Sequence, residues 1–284
     1  LPRVRPYALV RILNGAYGLT EAPRLWYLRA RQLLVDVIGF EELRCARATF
    51  VYKVKGVLKA LLTLHVDDGM MFGDAEDPDY KLVRNKVNQQ FRIKRWKRVG
   101  VGIEQEYLGM TWRYDKDRKS KLMLVIHMDR YIDELEPFLL SRKDSDDRDL
   151  DSKEQTASKS LLQKVRWPIA RLVLELAYSV SALAQGGQDK KLYHVRALDE
   201  LVERLQALRK KGGAQLRLRP VDLNILTVAT VPDASFAREE GLKSQSGLVS
   251  LLTCAGIANG PATCNIAEFQ SSTNYSRGEV DNGS

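Results

Sequence analysis

Two adjacent aspartates, Asp67 and Asp68, interrupt an apolar stretch that reads TLHVDDGMMFG over residues 63–73. Carboxylates side by side repel each other, so a site that keeps both ionised is helped by a cation or by solvent. The flanking runs, Val57 to His65 and Met70 to Phe72, have the composition of strands, and Gly69 follows the acids. The spacing predicts a β-hairpin with a carboxylate pair at its tip. Taken alone, these residues favour a plain polar turn over a metal-holding one. A second chemical feature is RIKRWKR, residues 92–98, with five basic side chains around Trp96. Lys94 and its neighbours could track phosphates while Trp96 stacks on a base, or the run could be a solvated charged edge. From Asp147 the acids begin like a calcium loop, but Ser152 and Ser158 stand where that loop needs Gly and Glu, which excludes it.

The elements that must position these groups follow from periodicity. Trp26, Ala30, Leu33 and Val37 recur at helical steps over 22–37, and Val83, Val87 and Phe91 do so after the Asp77-Pro78 start signal. EYLGMTWRYDKDRKSKLMLVI reads as a second hairpin around a charged turn. Residues 141–160 hold one large aliphatic residue and read as a solvated linker. Two helices follow, about 161–185 with a bend at Pro168 and a stop at Gly186-Gly187, and about 189–211 ending at Gly212. LNILTVATVPDASFA reads as a strand delivering Asp233 at its end, and SGLVSLLTCAG as a second strand. The last stretch, from Ser271, has no apolar period and reads as disordered. The fold class expected is α+β: an antiparallel sheet containing both hairpins and covered by helices, a helical connection, then a small sheet.

Bulk properties narrow the setting. The 284 residues, 44% hydrophobic, can bury a sizeable core in one large or two smaller domains. A net charge of +9 favours a polyanionic partner. Three cysteines without a CxxC pair suit a reducing intracellular compartment, cytoplasm or nucleus, and argue against a disulfide framework or zinc site. LPRVRPYALVRIL has no uninterrupted apolar core and no initiator Met, so it reads as the middle of a longer polypeptide. Lys164, Arg166, Arg171 and Glu175 make the most apolar long segment a helix outside any membrane.

In order along the chain stand Tyr17-Gly18-Leu19, Ala22-Pro23-Arg24, Trp26-Tyr27, Gly39-Phe40 and His65-Val66-Asp67-Asp68. This ordered set resembles the reverse transcriptase of copia-type retrotransposon polyproteins, where a YGL..APR.WY segment precedes a YVDD hairpin. The likeness continues through QQFRIKRWK and YLGMTW, whose Leu108-Gly109 resembles the family's primer-contacting hairpin. Further on, VPDASFAREEGLKSQSG resembles the start of the ribonuclease H domain that follows. The resemblance implies a polymerase palm and thumb start over 1–140, a linker over 141–160, a helical connection over 161–215 and a truncated ribonuclease H-like domain over 216–284. It makes Asp67 and Asp68 ligands of Mg2+ or Mn2+ in two-metal nucleotidyl transfer. Tyr17, Gly18, Leu19, Pro23, Arg24, His65, Lys94, Trp96, Leu108 and Gly109 would face the RNA or DNA template-primer and the incoming dNTP. Asp233 would be the first metal-binding carboxylate of the ribonuclease H part, KSQSG at 243–247 its following turn, and His194 a structural residue of the connecting helix.

The pattern also breaks. A reverse transcriptase needs an aspartate on an earlier strand, and the only Asp before Asp67 is Asp36, on the expected helix. His65 replaces the family's Tyr. After Ser271-Ser272 the family's acidic helix is replaced by TNYSRGEVDNGS. Both active sites therefore read as incomplete, and this chain by itself is expected not to polymerise DNA. The alternative reading is a non-catalytic remnant of such an element that binds nucleic acid weakly.

Overall fold

A computed structural model describes residues 20–66, 68–93, 95–138, 145–185, 191–222, 225–239, 243–254 and 263–274. The chain is α+β with antiparallel sheets, and it divides into two compact units between Lys97 and Arg98.

In the first unit, helix α1 (Ala22–Gln32) runs into a π-helical segment, Leu33–Ile38. Gly39 ends it at φ +96°, a left-handed conformation that glycine adopts without strain. Four strands follow: β1 (Glu41–Glu42), β2 (Thr49–Val54), β3 (Val57–His65) and β4 (Asp68–Phe72), each antiparallel to the next. Helix α2 (Pro78–Phe91) starts where the Asp77 side chain accepts from the N–H groups of Asp79 at 2.7 Å and Tyr80 at 3.3 Å. The Asp77 cap and the Val83 and Val87 stripe stand as the periodicity predicts, both valines being buried. The α1 stripe does not. Trp26 and Val37 are exposed, and the buried positions are Ala30, Leu34 and Ile38. The wider π-helical turn, with bonds from i to i+5, carries the apolar face onto a different set of residues. These helices pack with Phe40, Phe50, Ala60 and Leu62 in one core, on one face of the sheet.

The second unit holds a sheet of β5 (Gln105–Tyr107), β6 (Met110–Lys116), β7 (Leu122–His127) and β8 (Gln215–Leu218). The expected single sheet through both hairpins is therefore two sheets, β1–β4 with Asp68 and β5–β8 beside Gly109. Between β7 and β8 lie α3 (Asp129–Asp133), α4 (Ser152–Leu172), a 3₁₀ turn at Leu174–Leu176, α5 (Ala177–Gln185) and α6 (Leu192–Lys210). Their apolar stripes meet in one core, with Val165, Ile169, Leu176, Val202 and Leu205 fully enclosed. The stripe of α6 and its stop at Gly212 (φ +72°) agree with the sequence.

Three expectations for this unit are corrected. The stretch 141–160 is not a solvated linker where it is described. Ser152–Ser160 begins α4 through a capping box between Asp151 and Glu154, and Leu150 is buried with Leu192 and Val195. Its charges are paired, Asp146 with the distant Arg196 at 2.6 Å and Arg148 with Glu154 of the same stretch at 2.7 and 2.9 Å. The single helix expected over 161–185 is two, α4 and α5, parted at Val173 rather than at Pro168, which lies inside α4. A proline removes the N–H that would bond the carbonyl four residues earlier, and the Tyr131 hydroxyl donates to that carbonyl, Lys164 O, at 3.1 Å instead. Gly186-Gly187 lies outside the described residues.

The third correction concerns the last sheet, ordered β11-β10-β9, with β9 (Leu226–Glu239), β10 (Lys243–Cys254) and β11 (Cys264–Asn274). Asp233 lies mid-strand rather than at a strand end. Lys243 to Gly247 form the start of β10, not a turn, and Ser271 to Asn274 belong to β11. Residues 275–284 fall outside the described set. The buried Gln245 side chain ties this sheet to α5, donating to Ser181 Oγ at 3.2 Å and Ser271 Oγ at 2.6 Å.

Candidate functional site

The tip of β3–β4 is built by a two-residue loop. His65 pairs with Asp68, so only two positions separate the paired residues, and Val66 is the described one of the two. Among the described residues two other hairpins turn in two residues, through Lys55-Gly56 (φ +50° and +81°) and Leu108-Gly109 (φ +52° and +70°). Both end in the glycine that such a left-handed turn favours. At the aspartate tip the first loop residue is Val66 at φ +53°. A β-branched side chain in that region is strained, by an amount on the order of 1–2 kcal/mol. Such strain persists only where the surroundings impose it, and it gathers at functional sites.

Pleat alternation divides the hairpin. Leu62, Leu64 and Met71 join the core with the helices, whereas His65 and Asp68, directly opposite one another, fall on the other face and are exposed. Asp68 makes no ion pair within 4 Å among the described residues, so its carboxylate is available to solvent. Asp67, Tyr17, Gly18, Leu19 and Lys94 lie outside the described residues. Behind the tip, Lys59 on β3 bonds Asp77 at 2.7 Å and Asp79 at 3.2 Å, fixing the start of α2 to the sheet. The Lys59 ammonium holds the Asp77 carboxyl below its usual range, with the two backbone donors adding to the effect.

Pro23 and Arg24 are exposed in the first turn of α1. Tyr27, from the same motif, does structural work: its hydroxyl donates to Glu42 on β1, as do Arg31 at 2.7 Å and the Ala48 N–H at 3.1 Å. Burial works to raise the Glu42 pKa, and these three donors outweigh it, so the carboxyl lies below its usual range. Trp96 is half-buried against the first unit's core, so part of the surface expected to stack on a base packs inward; Arg92, Arg95 and Lys97 are exposed. A side chain on Gly109 would place its Cβ 2.4 Å from the Trp167 ring on α4. Packing therefore explains the glycine of Leu108-Gly109 without any nucleic acid.

Asp233 is exposed on β9, opposite Gly247, with its Oδ1 accepting the Ala234 N–H at 2.9 Å. It lines an open cavity of about 560 Å³ with Ser246, Leu248 and Gln270. His194 is structural as expected, its Nδ1 accepting the Lys191 N–H at 3.1 Å at the start of α6. One charged network carried no sequence signal, because its members are scattered. Buried His127 has Nδ1 3.2 Å from Asp129 and Nε2 3.5 Å from Glu104, which in turn bonds Arg113 at 2.9 Å. The Arg113 guanidinium holds Glu104 below its usual range. Among the described residues no group of three or more His, Cys, Asp or Glu stands close enough to hold a metal ion, and no helix is long and apolar enough to cross a membrane. Compared with models of known families, with curated proteins and with solved structures, the chain matches none.

Proposed function

We propose that the chain is part of the reverse transcriptase of a copia-type retrotransposon polyprotein, with the start of its ribonuclease H domain. The observation that carries the reading is the β3–β4 hairpin. It sets Asp68 beside the tip of a four-stranded antiparallel sheet, two residues after a strained Val66, on the face away from the packed helices, which supports a carboxylate site there. The ordered motifs that surround it in the sequence supply the family. In this reading β1–β4 with α1 and α2 is palm-like, and the RNA or DNA template-primer lies along the exposed face of the tip.

Asp67 and Asp68 offer only oxygen donors, and the Asp68 carboxylate is exposed without an ion-pair partner among the described residues, a donor set that fits Mg2+ or Mn2+. Such ions, when bound, would activate a primer hydroxyl and neutralise the triphosphate. The chain's own part is to hold the carboxylates on a rigid tip, to offer His65 as a hydrogen-bonding neighbour and to keep a backbone turn close to the primer end. The test is magnesium-dependent primer extension by this chain joined to the upstream segment of an intact copia-type relative. Asp67→Asn and Asp68→Asn should each reduce extension to background. Extension that survives Asp67→Asn would place the active site elsewhere.

A second reading, a non-catalytic remnant of the same element, is favoured by the packing of Gly109 on Trp167 and of Trp96 into the core. Both give structural reasons for residues the resemblance assigns to nucleic acid.

A further inference from the structure

The β6–β7 hairpin of the second unit ends in the sequence KDRKSK, residues 116–121. Its turn is fixed by its one carboxylate. Asp117 Oδ1 accepts the N–H groups of Lys119 at 2.8 Å and Lys121 at 2.9 Å, and Oδ2 lies 3.9 Å from Arg219 Nε. That acid is turned inward, with only 16% of its side chain exposed. The cations are turned outward. Lys116, Arg118, Lys119 and Lys121 are exposed, and none makes an ion pair within 4 Å among the described residues.

Arg219 directly follows β8, the strand paired with β7, and is held there by a buried clamp. Asn265 accepts the Arg219 N–H at 2.8 Å and donates to its carbonyl at 2.7 Å. The result is a rigid hairpin end with five cationic side chains whose backbone is set before any partner arrives.

We propose that this hairpin end is a nucleic-acid contact that grips the phosphate backbone without reading sequence. The argument is charge complementarity: a cation cluster of fixed geometry gains most from the densest regular array of anions, which is a duplex backbone, through release of condensed counterions. Its apex, Arg118-Lys119-Ser120, carries no apolar side chain to enter a bilayer and no aromatic to stack on a base. The site belongs to the second unit and stands whether or not the first unit is a polymerase palm.

The test is binding of the whole chain to a short labelled duplex, in EDTA and without nucleotides, between roughly 50 and 200 mM salt. The triple substitution Arg118→Gln/Lys119→Gln/Lys121→Gln should flatten the slope of log affinity against log salt by about 2.7, since each lost phosphate contact removes roughly 0.9. Affinity at the lowest salt should fall by about tenfold or more. Lys153→Gln/Lys159→Gln/Arg166→Gln, on the exposed surface of α4, lowers the net charge equally and should leave the slope unchanged; circular dichroism checks that both variants fold. Equal losses in the two variants, an unchanged slope in the hairpin variant, or binding only to vesicles of anionic phospholipid would each overturn the proposal. So would failure of the unsubstituted chain to bind the duplex at the lowest salt.

Discussion

Single residues show most sharply where function and packing compete for the same position. Val66 occupies a left-handed conformation at φ +53° that Asn tolerates far better than a β-branched side chain. Val66→Asn is therefore expected to stabilise the protein by about 1 kcal/mol in chemical denaturation. If the tip works as proposed, the same change should lower primer extension in the restored polymerase while leaving the fold intact. A gain in stability with no loss of activity would make Val66 an ordinary turn residue. Gly109 presents the opposite case. A methyl group there would meet Trp167 and also force an L-residue to φ +70°, so Gly109→Ala should cost roughly 2–4 kcal/mol from strain and overpacking together. Shortening Trp167 to Leu in the same chain should recover part of that loss. The doubled aspartate and its hairpin were legible from residue types alone, because apolar runs around an acid pair leave few alternatives. The reasons for Gly109 and Tyr27 were not. They depend on Trp167 and Glu42, far along the chain or on another element, and local sequence carries no sign of either contact.

At the scale of elements, α4 explains why the charged stretch before it misleads. Asp146, Arg148 and Glu154 look like a solvated run until their partners are known: Arg148 pairs with Glu154, Asp146 pairs with Arg196 on α6, and the Leu192 and Tyr193 N–H groups of α6 donate to the Arg148 and Asp146 carbonyls. Periodicity predicts α2 and α6 well because one buried stripe fixes each of them. It fails at the π-helical segment, which alters the period, and at β11, whose CNIAEFQSSTN has no clean alternation. The start of α4 gives a test with a definite sign. Bonds from Arg148 and from the Asp151 N–H hold the Glu154 pKa at about 2, against an ordinary 4.5. A carboxyl whose folded pKa is depressed stabilises above its unfolded pKa, and the contribution fades as pH falls from about 4.5 towards 2. Thermal melts should then show the chain and Glu154→Gln converging across that window, with the chain the more stable at neutral pH. Further along the helix, Tyr131→Phe strips the donor from the Lys164 carbonyl that Pro168 leaves without its helical partner. A loss of about 1 kcal/mol in denaturant titration is expected, whereas no loss would mean that water serves the carbonyl equally well.

For the whole molecule, the two cores share no side chain among the described residues. The first is drawn from residues up to Trp96, and the second, with its small satellite around Leu150, from Met110 onwards. Hydrophobic burial is local to the atoms that are enclosed, so a cavity in one core should be felt by that unit. Leu34 and Leu205 are both fully buried, one in each core. Replacing either by Ala should cost roughly 2–5 kcal/mol within its own unit. The first unit is the smaller, so the same loss moves its midpoint further, about 4–8 °C per kcal/mol for a domain of that size against about 2–4 °C for the second. Calorimetry should therefore show Leu34→Ala depressing one transition and Leu205→Ala the other, with the larger shift for Leu34→Ala. A single transition that both substitutions lower together would mean that the units unfold as one cooperative body, despite cores built from separate stretches of chain.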